Sequence, residues 1–347
     1  MQIVVDVMGG DHGCGVIIAG VKMALAANSK LTEVFLVGNE AQIQTALDQL
    51  KLCDSRIKIV HATEVLSMED KPLEAVRKKK DSSMMRAIEL VRDGKAQAII
   101  SPGNTGALVA GSTLRLHRLD NVDRPAIATV MPSLTREFLL LDAGANAECK
   151  PEHLVQFGIM GSIYSRQILG RKNPRVGILS NGTEEMKGND LTREASRLLQ
   201  QTDLNYIGYV EGFDLFNDRV EVVVVDRFIG NIVLKSVESM GKSILKILKT
   251  ELTATPIRKF GAWLARDGFR NIKRKMDPEA YGGAPLLGLN GVVIKAHGSS
   301  RERAIMNAIR VATEEVEHNI NDLIVAEIER NVQRLAAKAA AIAAVNS

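Results

Sequence analysis

The sequence predicts an α/β protein of three layers, in which helices cover both faces of a large, mixed but mostly parallel sheet. Three observations support this fold class. Short β-branched runs alternate with helical patterns along most of the 347 residues. Glycine-rich turns separate many of these runs from the helices that follow them. Two apolar runs within residues 125–144 are divided only by a short polar break, which predicts a local antiparallel hairpin.

Further strands and helices are predicted in chain order. The strand candidates are residues 2–7, 33–37, 57–61, 96–101, 175–180, 206–210, 220–226 and 291–296. Asp81 is predicted to cap a helix that ends at Gly94, and Ser299 with Glu302 has the spacing of a capping box. Because no repeat or linker divides the chain, we predict a single domain over residues 1–347.

Composition and cysteine usage exclude several classes of protein. With 46% hydrophobic and 25% charged residues, the chain is globular in composition. Three cysteines without a CxxC pair argue against a disulfide framework or a zinc finger, and they favour a reducing compartment. Neither a signal peptide nor an apolar run long enough to cross a bilayer is evident. We therefore expect a cytoplasmic protein that is soluble or peripheral to a membrane.

Positive charge is concentrated in one segment. The net charge is +4, whereas the window Arg258–Lys275 alone carries +6. This concentration predicts an anionic partner, and the low aromatic content of 4% disfavours nucleic acid. The same window places Phe260, Trp263 and Leu264 near the bend of a helical hairpin predicted at about 240–278. That composition favours a membrane anchor, with packing inside a dimer as the alternative.

Three predicted strands run directly into a glycine-rich turn and a helix. These junctions are SPGNTG from residue 101, DRFIGN from residue 226 and AHGSS from residue 296. Such turns expose backbone N–H groups at a helix start, where anions bind, although each glycine could also merely turn the chain. Lys80 precedes a further helix start and is either part of a solvated charge run or, with Ser82 and Ser83, a second phosphate cradle.

Several established site motifs are missing from the sequence. There is no GxxxxGK[ST] loop and no GxSxG elbow, and the glycines after the first strand do not form GxGxxG. Asp6 and Asp11 flank that turn and either brace it or bind a metal. His297 lies at a helix start, which favours a neutral imidazole that can act as base or donor, although a packed histidine is equally compatible. The groups left for phosphate and oxyanion binding are Lys80, Asn104, Lys187, Asn231, Lys295 and His297.

Eight segments of the chain together resemble a known family. They are DVMGGDHG (6–13), KKKDSSM (78–84), SPGNTGAL (101–108), LDAGAN (141–146), LSNGTEEMKGN (179–189), YVEG (209–212), YGGAPLLGLNG (281–291) and KAHGSS (295–300). In content and order they resemble the bacterial phosphate acyltransferase (PlsX) family, from Met1 to about residue 320. Arg227 stands where the family usually has glycine, and Pro102 where a small residue is common. These departures concern local turn conformation only.

The resemblance implies a reaction and a set of partners. Family members transfer a fatty acyl group from acyl carrier protein to inorganic phosphate, and the acyl phosphate enters phosphatidic acid and phospholipid synthesis. They act as homodimers beside the membrane and pass their product to a membrane-embedded glycerol-3-phosphate acyltransferase. The implied fold is similar to that of isocitrate and isopropylmalate dehydrogenases and of phosphotransacetylases. We expect no metal, no other cofactor and no nucleic acid to take part.

Residue roles follow as expectations. Lys187 and Asn231 are expected to stabilise the phosphate or the oxyanion, and His297 to transfer a proton. The expected phosphate and substrate contacts are Lys80, Ser82, Ser83, Gly103, Asn104, Thr105, Gly106, Asp142, Asn146 and Lys295. The expected membrane contacts are Phe260, Trp263 and Leu264.

Two alternative functions stay open on sequence grounds. One is a dehydrogenase of the same broad fold, with magnesium bound by aspartates; it lacks an evident nicotinamide site. The aspartates in question are Asp6, Asp11, Asp142 and Asp226. The other is a non-enzymatic adaptor for a membrane or a carrier protein, in which the basic window is the whole function.

Overall fold

The computed structural model describes residues 1–184, 186–275 and 281–345, without the side chains of residues 273 and 335–345. In that part of the chain, eleven strands form one sheet. They are β1 (Gln2–Asp6), β2 (Glu33–Gly38), β3 (Ile57–His61), β4 (Ala98–Ser101), β5 (Ala126–Pro132), β6 (Glu137–Leu141), β7 (Arg175–Leu179), β8 (Asn205–Val210), β9 (Val222–Val224), β10 (Ala284–Leu287) and β11 (Val292–Lys295). Every predicted strand is present, and β10 is an addition.

The sheet consists of two parallel parts that run in opposite directions. Its strand order is β3-β2-β1-β4-β11-β10-β5-β6-β9-β7-β8. The first five strands are mutually parallel and form the first half-sheet; the last four are mutually parallel and form the second half-sheet. Between them, β10 is antiparallel to β11 and to β5, and β5 is antiparallel to β6. The predicted mixed, mostly parallel sheet is confirmed.

Helices cover both faces of the sheet. They are α1 (Cys14–Ala27), α2 (Glu40–Gln49), α3 (Pro72–Lys78), α4 (Ser83–Arg92), α5 (Thr105–Leu116), α6 (Pro151–Gln167), α7 (Asp190–Leu199), α8 (Arg227–Thr253), α9 (Pro256–Leu264), α10 (Arg266–Lys275), α11 (Glu302–Glu317) and α12 (Ile320–Val345). In β1, Val4 packs in the core that α4 and α5 cover, whereas Ile3 and Val5 face the core under α1 and α11. This alternation produces the three layers.

Two of the predicted helix caps are wrong, because the side chains have other partners. The Asp81 carboxylate accepts hydrogen bonds from Thr63 Oγ1 at 2.5 Å and Arg86 Nε at 2.6 Å, which lower the pKa of Asp81 to about 2. It therefore ties α4 to the segment after β3 instead of capping the helix. Ser299 contacts the His297 ring rather than the first turn of α11.

The long helix α8 leaves the sheet after its first turns. Gly230 is its only fully buried residue, and Met240, Ile244 and Ile247 are exposed farther along. A new helix, α9, begins at Pro256, because Thr255 Oγ1 accepts from Arg258 N–H at 3.2 Å and caps it. Residues 276–278 of the predicted hairpin lie outside the described residues. Among the helices described, none has the combination of length and apolar character that a membrane crossing requires.

Gly230 is the point where α8 packs on the sheet. A Cβ atom at this position would lie 2.0 Å from the carbonyl oxygen of Asp142. That contact is with backbone, so no side-chain rotation can relieve it. The first turn of α8 therefore depends on glycine.

We expect Gly230→Ala to lower the free energy of unfolding by ~1–3 kcal/mol, because the helix must move away from residue 142. Urea unfolding measures the change. Gly261→Ala is the matched control, since Gly261 is in α9 with open space around it, and alanine is the better helix former by up to ~1 kcal/mol. Equal effects of the two substitutions would contradict the packing of α8 described above.

Candidate active site

Strand register brings the ends of the two half-sheets to a common row. Ile294 of β11 pairs with Pro285 of β10, and the β10–β5 register continues this row to Ala128. Ala128 in turn pairs with Leu141 of β6. From β11 to β6 there are three strand spacings, or about 14 Å. Because the half-sheets run in opposite directions, the carboxyl ends of both lie beside this row near the middle of the sheet.

The first cluster lies at the ends of β1, β4 and β11, and Asp6 is at its centre. The carboxylate of Asp6 is buried and accepts from Ser101 Oγ at 2.7 Å and Met8 N–H at 3.2 Å. Burial raises the pKa of Asp6, against the lowering effects of Ser83, Ser101 and the charge of Lys295. Asp6 thus connects three loops through its hydrogen bonds, which agrees with the structural alternative considered for it.

Lys295 joins the glycine loops that follow β4 and β11. Its Nζ donates to the carbonyl oxygen of Pro102 at 3.1 Å and to that of Ala296. Burial lowers the pKa of Lys295 to about 8, although the carboxylates of Asp6 and Asp11 oppose the shift. The ammonium group is therefore held at the base of both loops, and part of its donor capacity is used by the backbone.

Asn104 caps α5 and holds a neighbouring loop. Its Oδ1 accepts from Ala107 N–H at 3.1 Å. Its Nδ2 is directed at three carbonyl oxygens, those of Ser67, Met68 and Asp70, at 3.1 to 3.3 Å. The side chain thereby shapes the site, while the first N–H groups of α5, at Thr105 and Gly106, are the groups that a helix start offers to an anion. Gly103, just before the cap, packs closely against Gly9 of the first turn.

The predicted second phosphate cradle has a different arrangement from the one expected. Lys80 is exposed beside the site. Ser82 is buried and donates from Oγ to the carbonyl oxygen of Lys79 at 2.8 Å. Ser83 is also buried and hydrogen-bonded to Asp6. Both hydroxyl groups therefore have partners within the protein, and a phosphate role for them stays a prediction.

The second cluster lies at the ends of β6 and β9. The Asp142 carboxylate is fully buried and accepts from the backbone N–H groups of Ile127, Gly144, Ala145 and Asn146 and from Asn146 Nδ2, at 2.8 to 3.1 Å. Asn146 also donates from Nδ2 to the Pro125 carbonyl oxygen at 2.7 Å. This number of internal partners makes the two residues the frame of the turn on which α8 packs.

Asn231 and Lys187 lie on the solvent side of this frame. Asp226 caps α8 by accepting from the N–H groups of Phe228 and Ile229, and Asn231 follows in the first turn, partly exposed. Lys187 is exposed in the loop after β7, where its N–H donates to the Glu184 carbonyl oxygen at 2.9 Å. Both polar groups are therefore available to a ligand at this edge.

His297 is exposed at the end of β11, beside Lys295. Its Nδ1 accepts from Ser299 N–H at 3.2 Å and lies 2.8 Å from Ser299 Oγ. An acceptor at Nδ1 assigns the proton of the neutral ring to Nε2. The ring can then donate from Nε2 toward the solvent side of the cluster.

The structure thus gathers the predicted residues into two groups rather than one. Lys80, the α5 start, Lys295 and His297 belong to the first half-sheet, whereas Asp142, Asn146, Lys187 and Asn231 belong to the second. Sequence reasoning missed the bond between Ser101 and Asp6, because ninety-five positions separate the partners along the chain. It also missed several exposed apolar side chains around the second cluster, although each follows a strand end where a polar residue is the norm.

Metal binding by aspartates, as the dehydrogenase alternative requires, finds no support in the arrangement. Asp226 is a helix cap, Asp142 frames a turn, and Asp6 lies in the opposite half-sheet. Across the described residues, no group of three or more His, Cys, Asp or Glu side chains is placed to hold a metal ion. Burial also raises the pKa of the Cys149 thiol to about 11, which disfavours a thiolate nucleophile there.

Comparison with known proteins identifies the family. A family model described as "Fatty acid synthesis protein" matches residues 1–323. A phosphate acyltransferase of Syntrophotalea carbinolica is 48% identical over 326 residues, which cover 94% of this chain and 93% of that protein. One from Bacillus pumilus is 46% identical over 331 residues, covering 95% and 98%. The chain belongs to the phosphate acyltransferase family. The resemblance drawn from the motifs is confirmed, and the protein is an acyltransferase.

Two solved structures with low sequence identity to this chain share its fold. A phosphotransacetylase from Streptococcus pyogenes has a TM-score of 0.60 at 18% identity, covering 91% of this chain and 94% of the other. The EutD phosphotransacetylase from Staphylococcus aureus has a TM-score of 0.58 at 19% identity, with the same coverage. The expected likeness to the phosphotransacetylase fold is therefore confirmed.

The charge state of Lys295 gives stability a pH dependence. Its pKa is about 8 in the folded protein and 10.5 for a freely solvated lysine, so between these values the unfolded chain binds more protons. The free energy of unfolding must then rise with pH through this window, by on the order of 3 kcal/mol from this group. Lys295→Met should remove the rise. Urea unfolding at a series of pH values tests this, with Lys58→Met at an exposed position of β3 as control; a rise that persists in Lys295→Met would contradict it.

Proposed function

We propose that the protein transfers a fatty acyl group from the thioester of an acyl carrier protein to inorganic phosphate. The product, acyl phosphate, would supply phosphatidic acid and phospholipid synthesis. Family membership supports the reaction class. The observation that supports the proposal is the row shared by the two half-sheets. The helix start and cations that follow β4 and β11 approach this row from one side, and the polar donors that follow β9 and β7 approach it from the other.

The proposed mechanism divides the reaction between the two clusters. Phosphate binds at the start of α5, near Lys80 and the loops that Lys295 joins. One phosphate oxygen attacks the thioester carbonyl carbon, which lies between the two clusters with its carbonyl oxygen directed at the second. Lys187 and Asn231 then stabilise the oxyanion of the tetrahedral intermediate.

Collapse of that intermediate breaks the carbon–sulfur bond and releases the carrier thiolate. The Nε2–H group of His297 can donate a hydrogen bond to the thiolate, in agreement with the tautomer that Ser299 selects. The proton that the thiol finally carries is the one that the attacking hydrogen phosphate loses. A thiolate is a good leaving group, so the proposed reaction uses neither a metal nor another cofactor.

We further propose that the chain is a single domain with a helical insertion at about 240–278, and that its fold extends the likeness to isocitrate and isopropylmalate dehydrogenases. The exposed apolar side chains of α8 support a homodimer in which two such helices pack together. Met240, Ile244 and Ile247 are exposed and recur on α8 at helical spacing.

The segment α9–α10 supports proposals about the membrane and the carrier protein. On α9, Phe260, Trp263 and Leu264 are all more than half exposed, and Phe260 stacks on Trp263 with ring centroids 5.9 Å apart. Arg266 lies 5.5 Å from the Trp263 ring. Apolar side chains with adjacent cations suit an anionic membrane surface, from which acyl phosphate would pass to a membrane glycerol-3-phosphate acyltransferase.

The basic side chains of α10 are proposed to attract the acidic carrier protein. Arg270 and Arg274 are exposed on this helix, and Arg270 pairs with the single acidic residue of the window, Asp267, at 3.1 Å. The side chain of Lys273 lies outside the described residues. Complementary charge at such a surface mainly raises the rate of association.

The reaction is tested with pure protein, an acyl carrier thioester and phosphate, without metal or nicotinamide; we expect acyl phosphate to form. Lys187→Ala and Asn231→Ala should each lower turnover at least ~10-fold, because loss of one oxyanion donor costs ~10²–10³. Incorporation of radiolabelled phosphate into an acyl product measures the reaction. Lys58→Met controls for loss of a distant lysine. A lack of product with the parent protein would refute the function, and normal turnover of both variants would remove these residues from the site.

Membrane association is tested by sedimentation with vesicles of anionic lipid. The protein should bind, dissociate at high salt and show blue-shifted Trp263 emission, since apolar insertion and charge act together. Trp263→Glu with Leu264→Glu should abolish binding and leave soluble turnover intact. Leu134→Glu, at an equally exposed apolar position in the β5–β6 turn, is the control. Loss of dimerisation in the α9 double variant, or unchanged vesicle binding, would instead assign this surface to protein packing.

A further inference from the structure

Three neighbouring strands of the second half-sheet are each followed by an exposed, large apolar side chain. Phe228 follows β9, Met186 follows β7 and Phe213 follows β8. Their exposed fractions are 70%, 88% and 80%. Apolar side chains of this size on adjacent loops form a surface that water solvates poorly, and such surfaces mark binding sites.

The sheet register brings the segments that carry these three side chains to neighbouring strand ends. Val224 of β9 pairs with Ile178 of β7, and Ile178 pairs with Tyr209 of β8, so the three strand ends are level. The strand order is β9-β7-β8, with β7 in the middle. The outer two strands are thus about 10 Å apart, and the loops that carry Phe213 and Phe228 leave the same edge of the sheet.

The first turns of α8 enlarge this surface. Val233, Leu234 and Val237 pack inward against the core, so α8 already has a buried face. Ile232, 46% exposed, lies on a different face of the helix, next to Asn231. Lys187 directly follows Met186 in the loop after β7. Polar and apolar side chains are therefore neighbours along this edge of the sheet. Such an arrangement suits an amphiphilic ligand with a reactive polar head.

We propose that Met186, Phe213, Phe228 and Ile232 form an acyl face that binds the hydrocarbon chain of the acyl group. This inference rests on the proposed function, which puts the reacting carbonyl at Lys187 and Asn231. The chain is covalently attached to that carbonyl, and the acyl face begins at the residues adjoining both donors. Every methylene that leaves water on this face adds to binding, so the face selects long acyl groups.

The acyl face is separate from the surface proposed to meet the membrane. The helix α8 has 27 residues, and at 1.5 Å per residue its two ends are about 40 Å apart. Phe228 is at its beginning, whereas Trp263 belongs to α9 beyond its end. A hydrocarbon chain whose carbonyl group is held at Asn231 cannot rest on both surfaces. The effect of substitutions at one surface can therefore be measured independently of the other.

The test measures binding of saturated fatty acids, from octanoate to palmitate, by displacement of fluorescent cis-parinaric acid from the full-length protein. Affinity should rise by about fourfold per methylene, the equivalent of ~0.8 kcal/mol. The double variant Phe213→Ser, Phe228→Ser should flatten this rise and weaken palmitate binding at least tenfold. Leu134→Ser is the matched control, because Leu134 is 70% exposed like Phe228 but lies in the β5–β6 turn, and it should keep the parental rise.

Circular dichroism and light scattering accompany each measurement, and the single variant Met186→Ser provides a second, smaller perturbation. Parental affinities that do not depend on chain length would overturn the acyl face, as would a double variant that binds palmitate like the parent. A change of oligomeric state with unaltered fatty acid binding would likewise overturn it and assign the residues to contact between copies. Fatty acid binding does not require turnover. The result for the acyl face is therefore distinguishable from a failure of the acyl-phosphate assay.

Discussion

The antiparallel pairing of β10 with β11 and β5 is the constraint on which the site depends. It reverses the direction of the sheet in its middle, so that β11 ends at Lys295 and β6 ends at Leu141 close to one row. A wholly parallel sheet would place all loops of this kind at one edge, so that they leave the sheet in the same direction. The reversal instead brings two independent sets of strand ends within about three strand spacings of each other.

Buried carboxylates hold each set of loops in place. Asp6 connects Ser101 and Ser83 in the first cluster, and Asp142 collects four backbone N–H groups in the second. A buried carboxylate without such partners would cost several kcal/mol, so these loops are stable only in the conformation that supplies the donors. The aspartates that resembled metal ligands in the sequence therefore act as scaffolding, and Gly230 allows α8 to pack directly on one of them.

Most strands could be predicted from sequence because β-branched runs carry their own signal. The strand β10 could not, because it has four residues, contains Pro285 and is flanked by glycines. Local rules are wrong where a side chain has another partner: Asp81 binds the Thr63 hydroxyl and the Arg86 side chain instead of the N–H groups at the start of α4. The place of Asn104 after a strand predicts a site residue, and the structure makes it the cap of α5. Its hydrogen bonds to the loop at 67–70 are tertiary contacts, which the spacing of residues along the sequence does not reveal.

The length of α8 follows from what its two ends must do under the proposed function. Its beginning packs on Asp142 and offers Asn231 to the reacting carbonyl, and its end leads into α9 with Trp263 exposed. An acyl phosphate is amphiphilic and loses its contacts with apolar surface when it leaves the enzyme into water. Under these proposals α8, which is about 40 Å long, connects the reacting centre with the surface on α9 that meets the membrane. The acyl chain then rests at the beginning of α8 and not on α9, so the product leaves the acyl face before it enters the bilayer, and apolar burial slows that separate step.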